Sequence, residues 1–437
     1  MLKVVKFGGS SLADAGQFRK VKNIVTEGME RRVVVVSAPG KGEKNGSKVT
    51  DMLYRCHDAI GTPLCREIFE EIRARFISIR DGLGLKCDVE SRFEQLWDIM
   101  DETMTRDFLA SRGEYFSALL MADFLGYTFL DAVNCVFFTT DGEIDRERTY
   151  EAIRTAYERR GALVIPGFYG RGAEGVETMS RGGSDITGSL AAAALDAEIY
   201  ENWTDVSGIL MADPKIVSDP RRIPHLTYGE LSMLSHMGAS VLHPMSVAPV
   251  RDKGIPINIR NTERPQDAGT FIEDRAPENG DGGRFITGVT GRRGFSVFTV
   301  HKKVGFVKSA FVRAALEIFE HYRVQVEHVT FGIDAFSLVA SASEIGGRTF
   351  ELIRALEERI APEYVSLSEN VSLVAAVGRR MVSRRGVSGR LFRALGDNGV
   401  NIRMIAQDTD EQSIVVGVED GDFENTIRVL YNEFALT

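Results

Sequence analysis

The 437-residue chain contains four cysteines, Cys56, Cys65, Cys87 and Cys135, and no two of them stand in a CxxC pair or in zinc-ribbon spacing. So few thiols in so long a chain exclude a disulfide scaffold and predict a reducing compartment. No run approaches about 18 consecutive apolar residues, so no transmembrane helix is expected. The first residues, Met1-Leu2-Lys3-Val4-Val5-Lys6, enter a strand-like segment where a signal peptide would have a longer apolar core. The expected location is therefore cytoplasmic. Clustered positive charge is also missing. The net charge is -9 and Lys and Arg are scattered, which excludes a nucleic-acid surface. There is no GxxxxGKS or GxxxxGKT phosphate loop. Gly170-Arg171-Gly172-Ala173-Glu174-Gly175 fits GxGxxG, but a dinucleotide fold needs a helix directly after it. Here Val176-Glu177-Thr178-Met179 leads into another glycine loop.

The composition that remains, 43% hydrophobic and 26% charged, is that of a soluble globular protein long enough for two or three domains of roughly 100–200 residues. The first half alternates strand and helix patterns. Strands are predicted over 2–7, 33–36, 161–168 and 199–203, and helices over 14–29, 186–195 and 227–237. The last of these opens on a capping box, Thr227 with Glu230. Such alternation predicts an α/β layer fold with a mainly parallel sheet. Residues 274–283, rich in Gly, Asp and Pro, read as a linker. Beyond it two rough copies of a strand-helix-strand-strand-helix unit follow, about 75 residues apart, which predicts paired ferredoxin-like modules. A spare strand near 285–290 suggests that the modules interleave. The expected boundaries are 1–283, 284–365 and 366–437.

Four segments carry chemistry. Lys6-Phe7-Gly8-Gly9-Ser10-Ser11 sets a lysine at a strand end beside a glycine turn, where backbone N–H groups approach phosphate oxygens. The same residues also fit a plain strand-to-helix turn. Ser180-Arg181-Gly182-Gly183-Ser184-Asp185 precedes an Ala-rich helix, so its glycines stand at a helix N-terminus that favours anions. There an arginine can grip a carboxylate bidentately. Ser37-Ala38-Pro39-Gly40, followed by a Gly- and Lys-rich stretch to Thr50, leaves the carboxyl end of a strand, the usual ligand edge of an open α/β sheet. A flexible surface loop is the alternative. Thr204-Asp205 and Asp213-Pro214-Lys215 leave another strand, where an ordinary turn reads as well as a nucleotide site.

These segments in this order resemble the aspartate kinase branch of the amino acid kinase family. Val241-Leu242-His243-Pro244, Gly389-Arg390-Leu391-Phe392 and Asn401-Ile402-Arg403-Met404-Ile405 extend the resemblance over essentially the whole chain. It implies an amino acid kinase fold, with a central, mostly parallel sheet between helices, followed by two βαββαβ ACT modules. The implied reaction is ATP-dependent phosphorylation of the β-carboxylate of L-aspartate, the first step toward lysine, threonine and methionine, with magnesium carried mainly by ATP. By the same resemblance Lys6 is the lysine on the moving phosphoryl group and Asp185 orients the reacting groups. Arg181 holds the substrate α-carboxylate, Glu114 of Arg112-Gly113-Glu114 faces its amino group, and Gly9, Ser10, Thr50, Gly183 and Ser184 line the substrate pocket. Gly8, Ser37, Thr204, Asp205, Leu210, Asp213, Lys215 and Ser240 fall on the nucleotide side with Lys6. Ser240 departs from the lysine of many relatives and Leu210 from an aromatic in some. An amino-acid effector, lysine or threonine or both, is expected at Lys303, Phe306, Val307, Glu327, Gly332, Ile333 and Asp334, and a homodimer is the expected assembly. The nearest rivals are a kinase for glutamate, acetylglutamate or a nucleoside monophosphate, and an inactive amino-acid sensor.

Overall fold

The computed structural model describes residues 1–42, 46–179, 182–239, 242, 244–275, 277, 284–302, 309–382, 384–407, 410 and 412–435. The chain divides into two units. The first holds Met1–Ile209, Arg222–Leu231 and Ser240–Gly280, and the second holds Leu210–Arg221, Ser232–Ala239 and Asp281–Thr437. The short segments 210–221 and 232–239 thus cluster with the C-terminal part.

The first unit is built on an eight-stranded sheet. In chain order its strands are β1 (Lys3–Phe7), β2 (Arg31–Val36), β3 (Thr128–Phe129), β4 (Leu163–Pro166), β7 (Ile199–Thr204), β8 (His225–Thr227), β9 (Ile257–Asn261) and β10 (Thr270–Glu273). The strands β5 (Tyr169–Arg171) and β6 (Val176–Thr178) form a separate hairpin. The sheet order is β3-β4-β2-β1-β7-β9-β10-β8, and only the β9–β10 pair is antiparallel. Val33–Val36 are fully buried, as a strand covered on both faces requires. The β5–β6 hairpin carries the GxGxxG segment, and the element directly after that segment is the strand β6 and not a helix.

Helices Val49–Asp58, Pro63–Leu83, Val89–Asp98 and Arg106–Leu125 bury a second apolar layer against this sheet. Its centre is aromatic, with Phe93 and Phe116 stacked at 4.0 Å, Phe76 tilted against Phe93 and Phe69 edge-on to it. Caps fix the helix starts. Asp14 accepts from Gln17 N–H at 2.9 Å, and the Thr227–Glu230 box closes in both directions at 2.8 and 3.2 Å.

The second unit holds one six-stranded antiparallel sheet of β11 (Gly288–His301), β12 (Val326–Phe331), β13 (Ala335–Ser341), β14 (Tyr364–Val377), β15 (Met404–Gln407) and β16 (Ser413–Glu419), in the order β12-β13-β11-β14-β16-β15. Helices Ser309–His321, Thr349–Ile360, Val387–Asp397 and Phe423–Ala435 complete two βαββαβ modules. Where a spare strand is expected near 285–290, the structure has one long strand from Gly288 to His301, β11, with register shifts between Arg292 and Val297. Its first half pairs with Leu373–Val377 of β14 and its second with Tyr364–Ser368. Each half of β11 thus pairs with a different half of β14.

Candidate active site

Three strands of the first sheet end side by side and release the loops that form the site. Main-chain bonds stitch these exits together, from Gly8 N–H to the Trp203 carbonyl at 3.0 Å and from Ser37 N–H to that of Phe7 at 3.1 Å. A cavity of about 700 Å³ opens above them. Of the residues expected from the sequence, Gly8, Gly9, Ser10, Ser37, Thr50, Glu114, Thr204 and Asp205 all line it, although they come from five separate stretches of chain. Lys41 and Lys48 line it too, and the sequence reading gave them no individual role.

The loops meet without side chains between them. A Cβ placed on Gly40 would lie 2.6 Å from the carbonyl carbon of Gly9, and one on Gly9 would lie 2.7 Å from the carbonyl oxygen of Ala38. Arg75, on the helix Pro63–Leu83, donates to the carbonyls of Gly40 and Ser47, at 3.0 Å in the latter case, and so braces both ends of the loop that carries Lys41.

Lys6 is buried at the end of β1, with its Nζ 3.7 Å from the position a Cβ would take on Gly8 at the cavity edge. It forms an ion pair with Asp185 at 2.6 Å. Asp185 stands in the first turn of the helix Gly183–Ala194, where a carboxylate suits the helix dipole. Asn202 completes this group, donating to Asp185 Oδ1 at 2.8 Å and accepting from Lys6 at 3.4 Å. The helix start is set by close packing: Gly182 has φ +80°, a Cβ on Gly183 would meet Phe168 at 2.8 Å, and Gly167 makes room for Ser184.

Glu114 lies within the helix Arg106–Leu125 and is 4% exposed. Burial pushes its carboxyl up to about 8, against the opposing pull of the Ala38 backbone N–H. Its Oε2 has no hydrogen-bond partner among the described residues. Gly113 permits the approach of helix to loop, since a Cβ there would be 2.7 Å from that of Ala38. A buried carboxylate with a spare oxygen, beside a polar cavity, is a natural receptor for an ammonium group.

Other expected positions fall elsewhere. Arg181, Ser240, Lys303, Phe306 and Val307 lie outside the described residues. Leu210, Asp213 and Lys215 belong to the second unit, where Asp213 Oδ1 accepts from Lys215 N–H in a tight turn. Gly332, Ile333 and Asp334 form the exposed turn between β12 and β13. Glu327, whose side chain is 6% exposed, is already occupied: Arg292 reaches one oxygen at 2.9 Å and His236 the other at 2.8 Å.

Comparison with known proteins bears on this arrangement. Residues 1–261 match the amino acid kinase family, and residues 374–434 match the ACT domain. Aspartokinase 3 of Bacillus subtilis is 33% identical, the alignment covering 99% of this chain and 98% of that protein. The chain belongs to the aspartate kinases of the amino acid kinase family. Aspartate kinase of Clostridium acetobutylicum superposes with a TM-score of 0.94 at 40% identity, over 99% of this chain and all of that one. Aspartokinase III of E. coli, solved in complex with lysine and aspartate in its T-state, superposes with a TM-score of 0.76 at 25% identity over 99% of both chains. The expected fold is thus the observed one. Among the described residues no helix is long and apolar enough to cross a membrane.

Proposed function

We propose that the enzyme transfers the γ-phosphoryl group of ATP to the β-carboxylate of L-aspartate, giving 4-phospho-L-aspartate and ADP, under control of an amino acid bound by the ACT modules. The observation that carries the substrate reading is Glu114, a buried carboxylate with an unpartnered oxygen beside a cavity whose lining residue Gly8 lies next to the Nζ of Lys6. An α-ammonium group satisfies that oxygen, and Arg181 is assigned to the α-carboxylate. The β-carboxylate, with a reference pKa near about 4, is already ionised at neutral pH and needs no general base.

What the reaction needs is relief of repulsion between a carboxylate and a polyphosphate, and phosphoryl transfer is catalysed chiefly by positioning and by cations. In this reading a β-carboxylate oxygen attacks the γ-phosphorus as the bond to the ADP oxygen breaks. The Lys6 ammonium lies against the oxygens of the group in flight. Backbone N–H groups of Gly9 and Ser10 face the phosphates, and Ser37, Thr204 and Asp205 face the nucleotide. Magnesium arrives on ATP, where it neutralises phosphate charge. Leu210, Asp213, Lys215 and Ser240 keep the nucleotide-side roles that the family resemblance implies. Lysine is the first effector to test, since it was bound to the E. coli relative. The open edge strands β12 and β15 favour a homodimer.

The deciding experiment is ADP formation by the purified protein with ATP and magnesium, comparing L-aspartate, L-glutamate, N-acetylglutamate and UMP, each with and without lysine and threonine. Turnover confined to aspartate and depressed by an effector is the expected outcome. Preference for another acceptor would overturn the substrate assignment.

A further inference from the structure

We infer that Asn202 is a positioning residue for phosphoryl transfer, its carboxamide joining Lys6 to Asp185 and so fixing the direction of the Lys6 ammonium. The inference rests on the roles proposed above for Lys6 and Asp185.

In the β1–β7 pair Asn202 is the direct register partner of Lys6, so both side chains leave the sheet at one level. Asn202 is 3% exposed and sits in a central strand whose neighbours are Glu201 and Trp203, also buried. An amide in such a place is costly unless both of its ends are bonded. Here Nδ2 donates to Asp185 Oδ1 at 2.8 Å, the oxygen that Lys6 also reaches at 2.6 Å, and Oδ1 accepts from Lys6 at 3.4 Å. Ammonium, carboxylate and carboxamide therefore form a closed ring of contacts. The same strand holds Asp185 a second time, by the Tyr200 hydroxyl donating to its main-chain carbonyl at 3.2 Å. Gly188 leaves the room for that tyrosine, since a Cβ there would fall 2.5 Å from the hydroxyl.

A lysine ammonium is a point charge on a flexible stem, with three donors that no planar group orients. Two acceptors, Asp185 and Asn202, take two of these donors and leave one to face a phosphoryl oxygen. The chemistry also selects asparagine at this position. Leucine, of similar size, offers neither bond. Aspartate would set a second negative charge beside Asp185 and weaken the cation that the transferred group requires. Only a neutral side chain that both donates and accepts closes the ring without changing the net charge.

The test compares the parent enzyme with Lys6→Ala, Asp185→Asn, Asn202→Leu, Asn202→Asp and the double variant Asn202→Leu/Asp185→Asn, measuring kcat, KM for aspartate and Tm. Asn202→Leu is expected to lower kcat by about 10- to 100-fold, as misplacement of a reacting group by an ångström does, while KM for aspartate stays within about twofold. Beside Asp185→Asn the same change is expected to cost less than about threefold more, because the two residues act as one unit. Asn202→Asp keeps the size of the side chain, carries the test should the leucine variant fail to fold, and is expected to lose at least as much activity. A kcat within about twofold of the parent in Asn202→Leu or Asn202→Asp, with Lys6→Ala inactive, would overturn the inference alone. So would a loss that multiplies in full with that of Asp185→Asn. An idle parent, or a fully active Lys6→Ala, would strike the underlying assignment of function instead.

Discussion

Gly9 and Gly40 lie backbone against backbone, with Gly40 N–H donating to the Gly9 carbonyl at 2.7 Å, and this contact forms the floor of the cavity. Neither glycine has the positive φ that would explain its presence by conformation. What excludes a side chain is space. Gly40→Ala must part the two loops and is expected to cost about 1–3 kcal/mol as overpacking does. The larger effect should fall on function, because separating the loops by an ångström misplaces the N–H groups proposed to face the phosphates. A loss of kcat/KM of roughly 100-fold is expected, against a fall of only a few degrees in Tm. Steady-state kinetics and a thermal melt on the same sample check this.

Glu114 makes a prediction about pH with a definite sign. Its folded-state value near 8 lies above the ordinary 4.5, so the folded chain holds this proton where the unfolded chain has lost it. Its stabilising contribution is complete below about pH 4.5 and is lost as the pH rises through 8. Glu114→Gln, which cannot ionise, should melt above the parent at pH 8.5, and the gap should close toward pH 5. An ammonium ligand prefers the ionised carboxylate. KM for aspartate in the parent should therefore fall as the pH rises from 6.5 to 8.5. In Glu114→Gln it should be about tenfold higher or more and flat across that range. Parallel slopes in the two proteins would assign the titration to another group.

The Arg292–Glu327–His236 cluster separates a structural from an effector role. Glu327 was expected to offer its charge to an effector ammonium, yet Arg292 and His236 take one oxygen each. Arg292→Met would leave a buried carboxylate with one partner and is expected to destabilise the second unit by about 2–3 kcal/mol. If Asp334 is the effector carboxylate, Asp334→Asn should weaken effector inhibition with little change in Tm, since its turn is exposed. Glu327→Gln should do the reverse. Inhibition curves and melts of the two variants decide between them.

How much of this was legible in the sequence depended on the range of the interaction concerned. Strand ends, glycine turns and the Thr227–Glu230 box are local, and they stand where alternation and capping rules put them. The Lys6–Asp185 pair joins residues far apart in the chain, one at the end of β1 and the other in the first turn of the helix Gly183–Ala194, which no periodicity reports. Asn202 was hidden because it lies in a stretch read only as a strand, 199–203, where neither it nor Glu201 belongs to a motif that marks a site. Glu114 sits on a helix buried around most of its circumference, so no polar face marked it. Only family resemblance singled it out. The length of β11 was missed because the strand runs on through a change of register, which no sequence pattern reports.

The shared strands of the regulatory sheet have a consequence for protein engineering. Residue pairs 288–292 with 373–377 and 295–301 with 364–371 place the two modules on the same two ribbons of chain. The boundary expected at 365/366 falls inside β14. A chimaera spliced there, to graft one relative's sensor onto another's, would cut a ribbon that both modules use and strip each of a strand. The unit of exchange is the whole segment from β11 to the last helix. Recombination among relatives is thereby steered toward inheriting the paired sensor as a single piece, with any new ligand preference arising by substitution within it.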